Sequence, residues 1–332
     1  MKGFFLKQTL SWIIMLILLL VAVPSCSKNS SGDYFLPIFA EEDIEYSGST
    51  EAAALNKDNA QIILEEAFLG GSAGSGIVSP ISTVAAGGYY GYSPSPAQYF
   101  RKTFDLLVQE ITSIDQQDLP AITSEVISQP IDIDGPCGGN CSGNLSIDDE
   151  TGDVSGKLRY NDYCDMEIIS DGRISIQGNI NLTSVNLDMV FTNFSVSYEG
   201  NSQTMSGTVS MESSTGSSYM TMNVCVRDDS SGRTCWMSDY VMYVIEYDTY
   251  DEISVSGRFY DPDYGYATLS TPESFIVYHE ENYPSQGILV ATGAGGSSAR
   301  LVVLSVETFR IDVDEDGNGT YEWNSGEQNW ED

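Results

Sequence analysis

From about residue 142 onward, the apolar residues of this chain fall at every second position. Side chains alternate between the two sides of a strand, so each such run has one apolar and one polar face. Runs of this kind include Leu145-Ser146-Ile147, Lys157 to Tyr160, Arg173 to Gln177, Thr208 to Met211, Ser218 to Val224, Ser254 to Phe259 and Leu301 to Leu304. Turn signals separate them at Glu150-Thr151-Gly152, Asp171-Gly172, Glu199-Gly200-Asn201, Ser231-Gly232, Gly295-Gly296 and Asp316-Gly317. The connections are too short for the crossovers that parallel neighbours need, so the strands form an antiparallel meander. Roughly ten to fourteen strands of this kind cannot stay flat and must curl, close or split. A Ser/Asp-Gly-x-apolar-x-apolar pattern starting at 155, 171, 206 and 256 reads as hairpin punctuation, each turn followed by a strand.

Before that point the apolar spacing is helical. Residues 56–69 predict a helix, with Asn56 or Asp58 as its cap and Gly70-Gly71 as its stop. A stretch rich in Gly, Ser and Pro follows, and a second helix is predicted at 97–113, with Phe100, Phe104, Leu107 and Ile111 on one face. Residues 114–136 are acidic, carry Pro120, Pro130 and Pro136, and read as a linker with at most one short strand or helical turn. The expected fold is mainly β with a small helical layer: an antiparallel meander forming a curved sheet, half-barrel or open barrel, with two N-terminal helices packed against it.

The chain has 48 Asp and Glu against 14 Lys and Arg, a formal net charge of -34. Nucleic-acid affinity rests on basic side chains neutralising phosphates, so a polyanion of this kind is a poor partner for nucleic acid. A single histidine rules out H-E-x-x-H zinc chemistry, and no C-x-x-C-H haem motif or nucleotide signal occurs.

Residues 1–25 have Lys2 and Lys7 ahead of an apolar run from Ile13 to Val23, the layout of an export signal. The run ends at Val23-Pro24-Ser25-Cys26, which resembles the lipobox of bacterial lipoproteins, with Pro24 departing from the usual small residue. The resemblance implies cleavage before Cys26, lipidation of its thiol, and a membrane partner reached through that lipid; Ser27 in place of Asp implies the outer membrane. The implied organisation is a leader at 1–25, a lipidated tether at 26–55, a helical layer and linker at 56–136, and a β-domain at 137–332. With its strands, its Tyr260–Tyr266 segment and its Asp-rich end, the chain also resembles β-rich envelope lipoproteins of Gram-negative bacteria. In layout it looks like the half-barrel carriers of lipids and lipoproteins in those envelopes.

Five cysteines remain, and an exported compartment favours disulfides. Folding the 225–235 segment about Ser230 sets Cys225 opposite Cys235. A hairpin centred near Glu150-Thr151 sets Cys137 opposite Cys164, and a centre two residues later would select Cys141; the Thr151-Gly152 turn favours Cys137–Cys164. Cys137, Cys141 and Cys164 as a zinc site would lack a fourth ligand.

Asp312, Asp314 and Asp316, then Gly317 and Asn318, place oxygen ligands at alternate positions before a sharp turn, as a hard cation requires. The string resembles the start of an EF-hand loop and implies Ca²⁺ on these residues, with Asn318 as a carbonyl donor. Glu322 stands one place early for the closing ligand. Tyr260 to Tyr266 places tyrosines beside aspartates, a pattern that binds sugars or cations and also forms tight turns. Gly70 to Gly74 spells G-x-S-x-G, but a helix precedes it where a nucleophile elbow needs a strand. His279 follows a strand with no nucleophile tied to it. The leading expectation is a non-enzymatic binding or structural lipoprotein stabilised by calcium. An amphiphile or lipoprotein carrier is the alternative, and a carboxylate-based hydrolase ranks last.

Overall fold

The computed structural model describes residues 44–68 and 127–330, apart from 149–150, 166, 181–183, 199, 215, 280 and 282. The expected leader and Cys26, the G-x-S-x-G string and the second predicted helix at 97–113 lie outside the described residues. The strands are β1 (Ile127–Asp134), β2 (Gly138–Ile147), β3 (Asp153–Asp165), β4 (Ile168–Ile180), β5 (Ser184–Tyr198), β6 (Asn201–Ser214), β7 (Ser217–Asp228) and β8 (Thr234–Glu246). They continue as β9 (Tyr250–Asp261), β10 (Gly265–Tyr278), β11 (Gln286–Thr292), β12 (Ser298–Val303), β13 (Thr308–Asp314), β14 (Trp323–Asn324) and β15 (Gln328–Asn329).

Each strand from β1 to β14 pairs antiparallel with the next, and β15 pairs with β13, so one meander forms a single sheet whose ends do not meet. The sheet begins at 127, inside the stretch read as a linker. Pro130 argues against a strand there, but among the described residues β1 is an edge strand with only β2 beside it, where a missing N–H need not break a ladder.

The Ser/Asp-Gly pattern has a different meaning from the one expected. Gly156, Gly172, Gly207 and Gly257 lie inside β3, β4, β6 and β9, not in hairpin turns. Bulges in β3, β5 and β8 carry Asp162, Asn193 and Asp239 at φ of 47°, 43° and 48°. These are residue types that tolerate the left-handed region. Gly172 faces the carbonyl of Asn193, and Gly257 faces that of Asp239. At Gly257, φ is +121° and a Cβ would stand 2.3 Å from the Asp239 oxygen, so only glycine fits. Bulges and glycine kinks lie along one line across β3 to β9, the device that bends a sheet.

Each bulge also switches which residues face the core. In β5, Leu187, Met189 and Phe191 are buried before it and Phe194 and Val196 after it; in β8, Met237 before and Tyr240, Met242 and Val244 after. Against this face packs α1 (60–68), the one α-helix among the described residues, within the span predicted at 56–69. Ala60, Ile63, Leu64 and Ala67 are buried in the same cluster as the strand residues. Asn56 and Asn59 cap it reciprocally: Asp58 N–H donates to Asn56 Oδ1 at 2.8 Å, and Asn56 N–H to Asn59 Oδ1 at 2.9 Å. The Tyr240 hydroxyl donates to the Ala67 carbonyl at 2.9 Å, and Phe68 meets Phe275 and Trp330, each at 5.1 Å between ring centroids. Ahead of α1, the chain at 51–53 pairs with Tyr266, which leads the helix onto β8 and β10, where Tyr240 and Phe275 meet it.

Gly257→Ala is expected to destabilise the protein by at least about 2 kcal/mol, through strain at a backbone angle that alanine avoids. The denaturant midpoint reads this. Ser256→Ala, one residue away and exposed, serves as the control.

Candidate functional site

Where α1 meets the ends of β8 and β9, the core face turns polar. Arg233, at the end of the β7–β8 hairpin, reaches Asp261 Oδ2 with Nη2 at 2.6 Å and Glu66 Oε1 with Nη1 at 3.3 Å. Its Nε stands 3.4 Å from Asp263 Oδ2, in ion-pair range but without a hydrogen bond. The Asp261 side chain is fully buried, and its Oδ1 accepts the N–H groups of Asp263 at 2.8 Å and Tyr264 at 3.0 Å. The Asp-Pro-Asp turn is thereby closed by the same carboxylate that holds the guanidinium. Cys235 Sγ donates to Glu66 Oε2 at 3.1 Å. Glu66, Cys235 and Asp261 each present a ligand atom within 4.8 Å of the others. The cation among them is the Arg233 guanidinium, which bonds two of the three.

On the other face of the sheet, Tyr46 packs against Trp236 and Tyr260 at 5.8 and 5.7 Å, and Trp236 stacks on Tyr260 at 4.4 Å. The Tyr46 hydroxyl donates to the carbonyls of Ser49 at 2.7 Å and Asp261 at 2.9 Å. Burial, then the charge of Asp261, push its pKa up. Tyr260 and Tyr266 of the 260–266 segment are thus used in packing around a tight turn, while Tyr264 at the turn is exposed.

One expected disulfide forms and one does not. Cys137 and Cys164 are bridged across the β2–β3 hairpin, with Cα atoms 5.1 Å apart, and Cys141 stays outside the bridge. Cys225 and Cys235 are not bridged. The β7–β8 ladder pairs Cys225 with Trp236 and Val226 with Cys235, one residue away from the register expected about Ser230. A slip of one residue puts the two thiols on opposite faces. Burial first, then Glu66, push the Cys235 thiol well above its ordinary range. Burial pushes Cys225 up to about 11. A nucleophilic cysteine needs the opposite shift.

The Asp-rich loop brings together part of the expected calcium set. Asp314, Asp316 and Glu322 converge, and Asn318 joins them through a hydrogen bond of 3.1 Å from Nδ2 to Glu322 Oε1. Asp312 does not belong to the set. Its two oxygens are held at 2.9 Å by Arg300 Nε of the neighbouring strand β12 and at 2.7 Å by Arg310 Nε of its own strand. Asp314 is already occupied as a cap: the N–H groups of Gly317, Asn318 and Gly319 donate to it at 2.9, 3.2 and 2.8 Å. The alternation of oxygens thus serves a turn whose own amides satisfy its most buried carboxylate. His279 lies at the far end of the sheet, with Nε2 3.2 Å from Asp251 Oδ1.

The Arg233 corner was not anticipated. Its members are scattered over 66, 233, 235 and 261, and only the scarcity of basic residues and the Asp-Pro-Asp turn hint at it. Comparison with protein families, with curated proteins and with solved structures finds no match to this chain.

Two outcomes follow from these environments. At pH 8 in native protein, Cys225 should react with a thiol reagent on the order of 100-fold more slowly than in urea, as its thiolate fraction dictates, and Cys235 more slowly still. Stopped-flow absorbance on the C141A variant measures both. Burial raises the pKa of Glu66 above its ordinary 4.5. The folded state therefore holds that proton more tightly than the unfolded chain, so its contribution to stability is present below pH 4.5 and lost as pH rises through the raised value. Asp228 works the opposite way: Ser230 lowers its pKa, so its contribution is present above 3.8 and lost as pH falls below that value. Denaturation at stepped pH should show a fall in stability on going from pH 4.5 toward 7 that Glu66→Gln flattens and Asp228→Asn leaves in place.

Proposed function

We propose that the chain is a lipid-anchored envelope protein of binding or structural type. The observation that carries this reading is the apolar run ending in Val23-Pro24-Ser25-Cys26, followed by the polar stretch Ser27 to Asp33 as a tether. A thiol carrying several acyl chains would hold the body at a membrane, since each buried CH₂ adds about 0.8 kcal/mol. The described carboxylates argue for binding over catalysis. Buried Asp261, Asp312 and Asp314 are each engaged by arginine or backbone amides, and the Cys235 thiol is pushed toward its unreactive form.

A second reading, a carrier of amphiphiles in a half-barrel, is favoured by one feature of the sheet. The core face of β5 to β8 is lined by Met189, Met205, Met211, Met220, Met222, Met237 and Met242. Methionine is unbranched and adaptable, and repacks around apolar ligands of varied shape. The meander's ends are not joined, so such a face could open without breaking a closed barrel.

Expression in a Gram-negative host with a labelled fatty acid tests the anchor. The wild type should take up label and fractionate with membranes, and Cys26→Ala should do neither. An unlabelled, water-soluble wild type would overturn the reading. Titration of the full chain in detergent-free nanodiscs with a fluorescent fatty acid separates the two versions. Saturable binding supports a carrier, and none leaves the methionine face as a filled core.

A further inference from the structure

The outer face of β7 to β10 carries a feature that the reading above does not use. Antiparallel register sets Tyr219 of β7 opposite Tyr243 of β8, and Tyr250 of β9 opposite Tyr278 of β10. Their neighbours Met220, Met242, Val244 and Ile253 face the core, so the tyrosines face outward. The β8–β9 turn lays Tyr247 against Tyr250, with ring centroids 4.6 Å apart and planes 22° from parallel; Tyr250 meets Tyr278 edge-on at 5.9 Å. Tyr219, Tyr243, Tyr247 and Tyr278 are 43%, 40%, 42% and 45% exposed, and they are four of the seven large hydrophobic or aromatic side chains exposed among the described residues. Exposed apolar groups gathered in one place mark an interaction surface; scattered ones do not.

The charge around them selects the partner. Glu252 shares the outer face, where burial first and then its charge raise the pKa of Tyr247, Asp248 lies in the adjoining turn, and no lysine or arginine occurs in 217–224, 238–256 or 268–286, the stretches that build this end of the sheet. His279 belongs to the opposite face, where it meets Asp251. A tyrosine ring presents a negative face, and a carboxylate beside it deepens the potential, so the group that both attract is a cation. Among the described residues the chain makes this contact internally at two places: Arg300 lies over Tyr321 at 4.1 Å and Arg258 over Tyr266 at 5.4 Å. On Tyr219, Tyr243, Tyr247 and Tyr278 no such cation is supplied from these stretches.

We propose that the tyrosine-lined end of β7 to β10 docks an arginine- or lysine-bearing segment of a partner protein, its cationic groups seated on the ring faces and neutralised by Glu252 and Asp248. Anionic lipid or nucleic acid would meet like charge here.

Titration calorimetry of the full chain in detergent with hexa-arginine, near physiological salt, tests this. Tyr243→Ser and Tyr247→Ser should each weaken binding by about fivefold, as expected for loss of a ring under a cation, although neither changes net charge. Tyr243→Phe and Tyr247→Phe, which keep the ring, should bind within twofold of wild type, and Tyr264→Ser, an exposed tyrosine of another turn, should have no effect. Equal affinity of wild type and both serine variants, with far-UV circular dichroism unchanged, would reduce the interaction to bulk charge and overturn the proposal. So would binding of neutral oligosaccharides that the serine variants lose while hexa-arginine affinity stays the same.

Discussion

Which face a residue occupies depends, in a strand, on whether its position is odd or even, and nearly everything else in this protein follows from where that parity changes. Strands of up to 15 residues would have to alternate without error from end to end if the ladders were regular. They do not. Bulges at Asp162, Asn193 and Asp239 insert one residue each, so the apolar series of β3, β5 and β8 switches from one parity to the other midway while still facing the core. Glycines on the neighbouring strands accept the bulged carbonyls at distances that leave no room for a Cβ. Bulge and glycine are therefore two halves of one device. It bends the sheet along a single line and keeps one apolar face continuous across that line.

The same parity explains what could be read in the sequence and what could not. Strand existence and antiparallel order were legible because alternation and turn chemistry are local. The Cys137–Cys164 bridge was legible as far as the Thr151-Gly152 turn favoured one of two hairpin centres; the ladder then sets Gly138, beside Cys137, opposite Cys164. Cys225 and Cys235 failed by a single residue: the ladder is centred between Ser230 and Ser231, and an offset that small is set by the loop's own hydrogen bonds, Asp228 to Arg233 and Gly232 to Asp228. Asp171-Gly172, Ser206-Gly207 and Ser256-Gly257 spell turns locally, yet each is a mid-strand kink because the strand across from it carries the bulge or the crowding carbonyl. No local reading holds that information.

The Asp-rich loop shows a further limit. Asp312 and Asp314 are separated by one residue, lie on the same side of β13, and were read as members of one ligand set. The neighbouring strand divides them: Arg300 of β12 stands directly across from Asp312, while Asp314 sits where the strand ends and its carboxylate meets three turning amides. A carboxylate's role here is decided by whether a strand or a turn lies beside it, and that belongs to pairing, not to spacing.

In a chain with so few bases, where each arginine goes is as informative as where the acids go. Arg233 serves Asp261 and Glu66, Arg300 and Arg310 serve Asp312, and Arg227 serves Asp229. In each case the base neutralises a carboxylate that the fold has partly or wholly withdrawn from water, where an unpaired charge costs most. These four arginines are thus drawn toward buried or half-buried acids, while Asp58 and Asp263 are, among the described residues, the solvated acids that also meet a base. At the end of β7 to β10, where tyrosines share the surface with Glu252, the building stretches carry no lysine or arginine at all. The pairing of withdrawn carboxylates and the absence of bases at this one end of the sheet are consequences of one distribution.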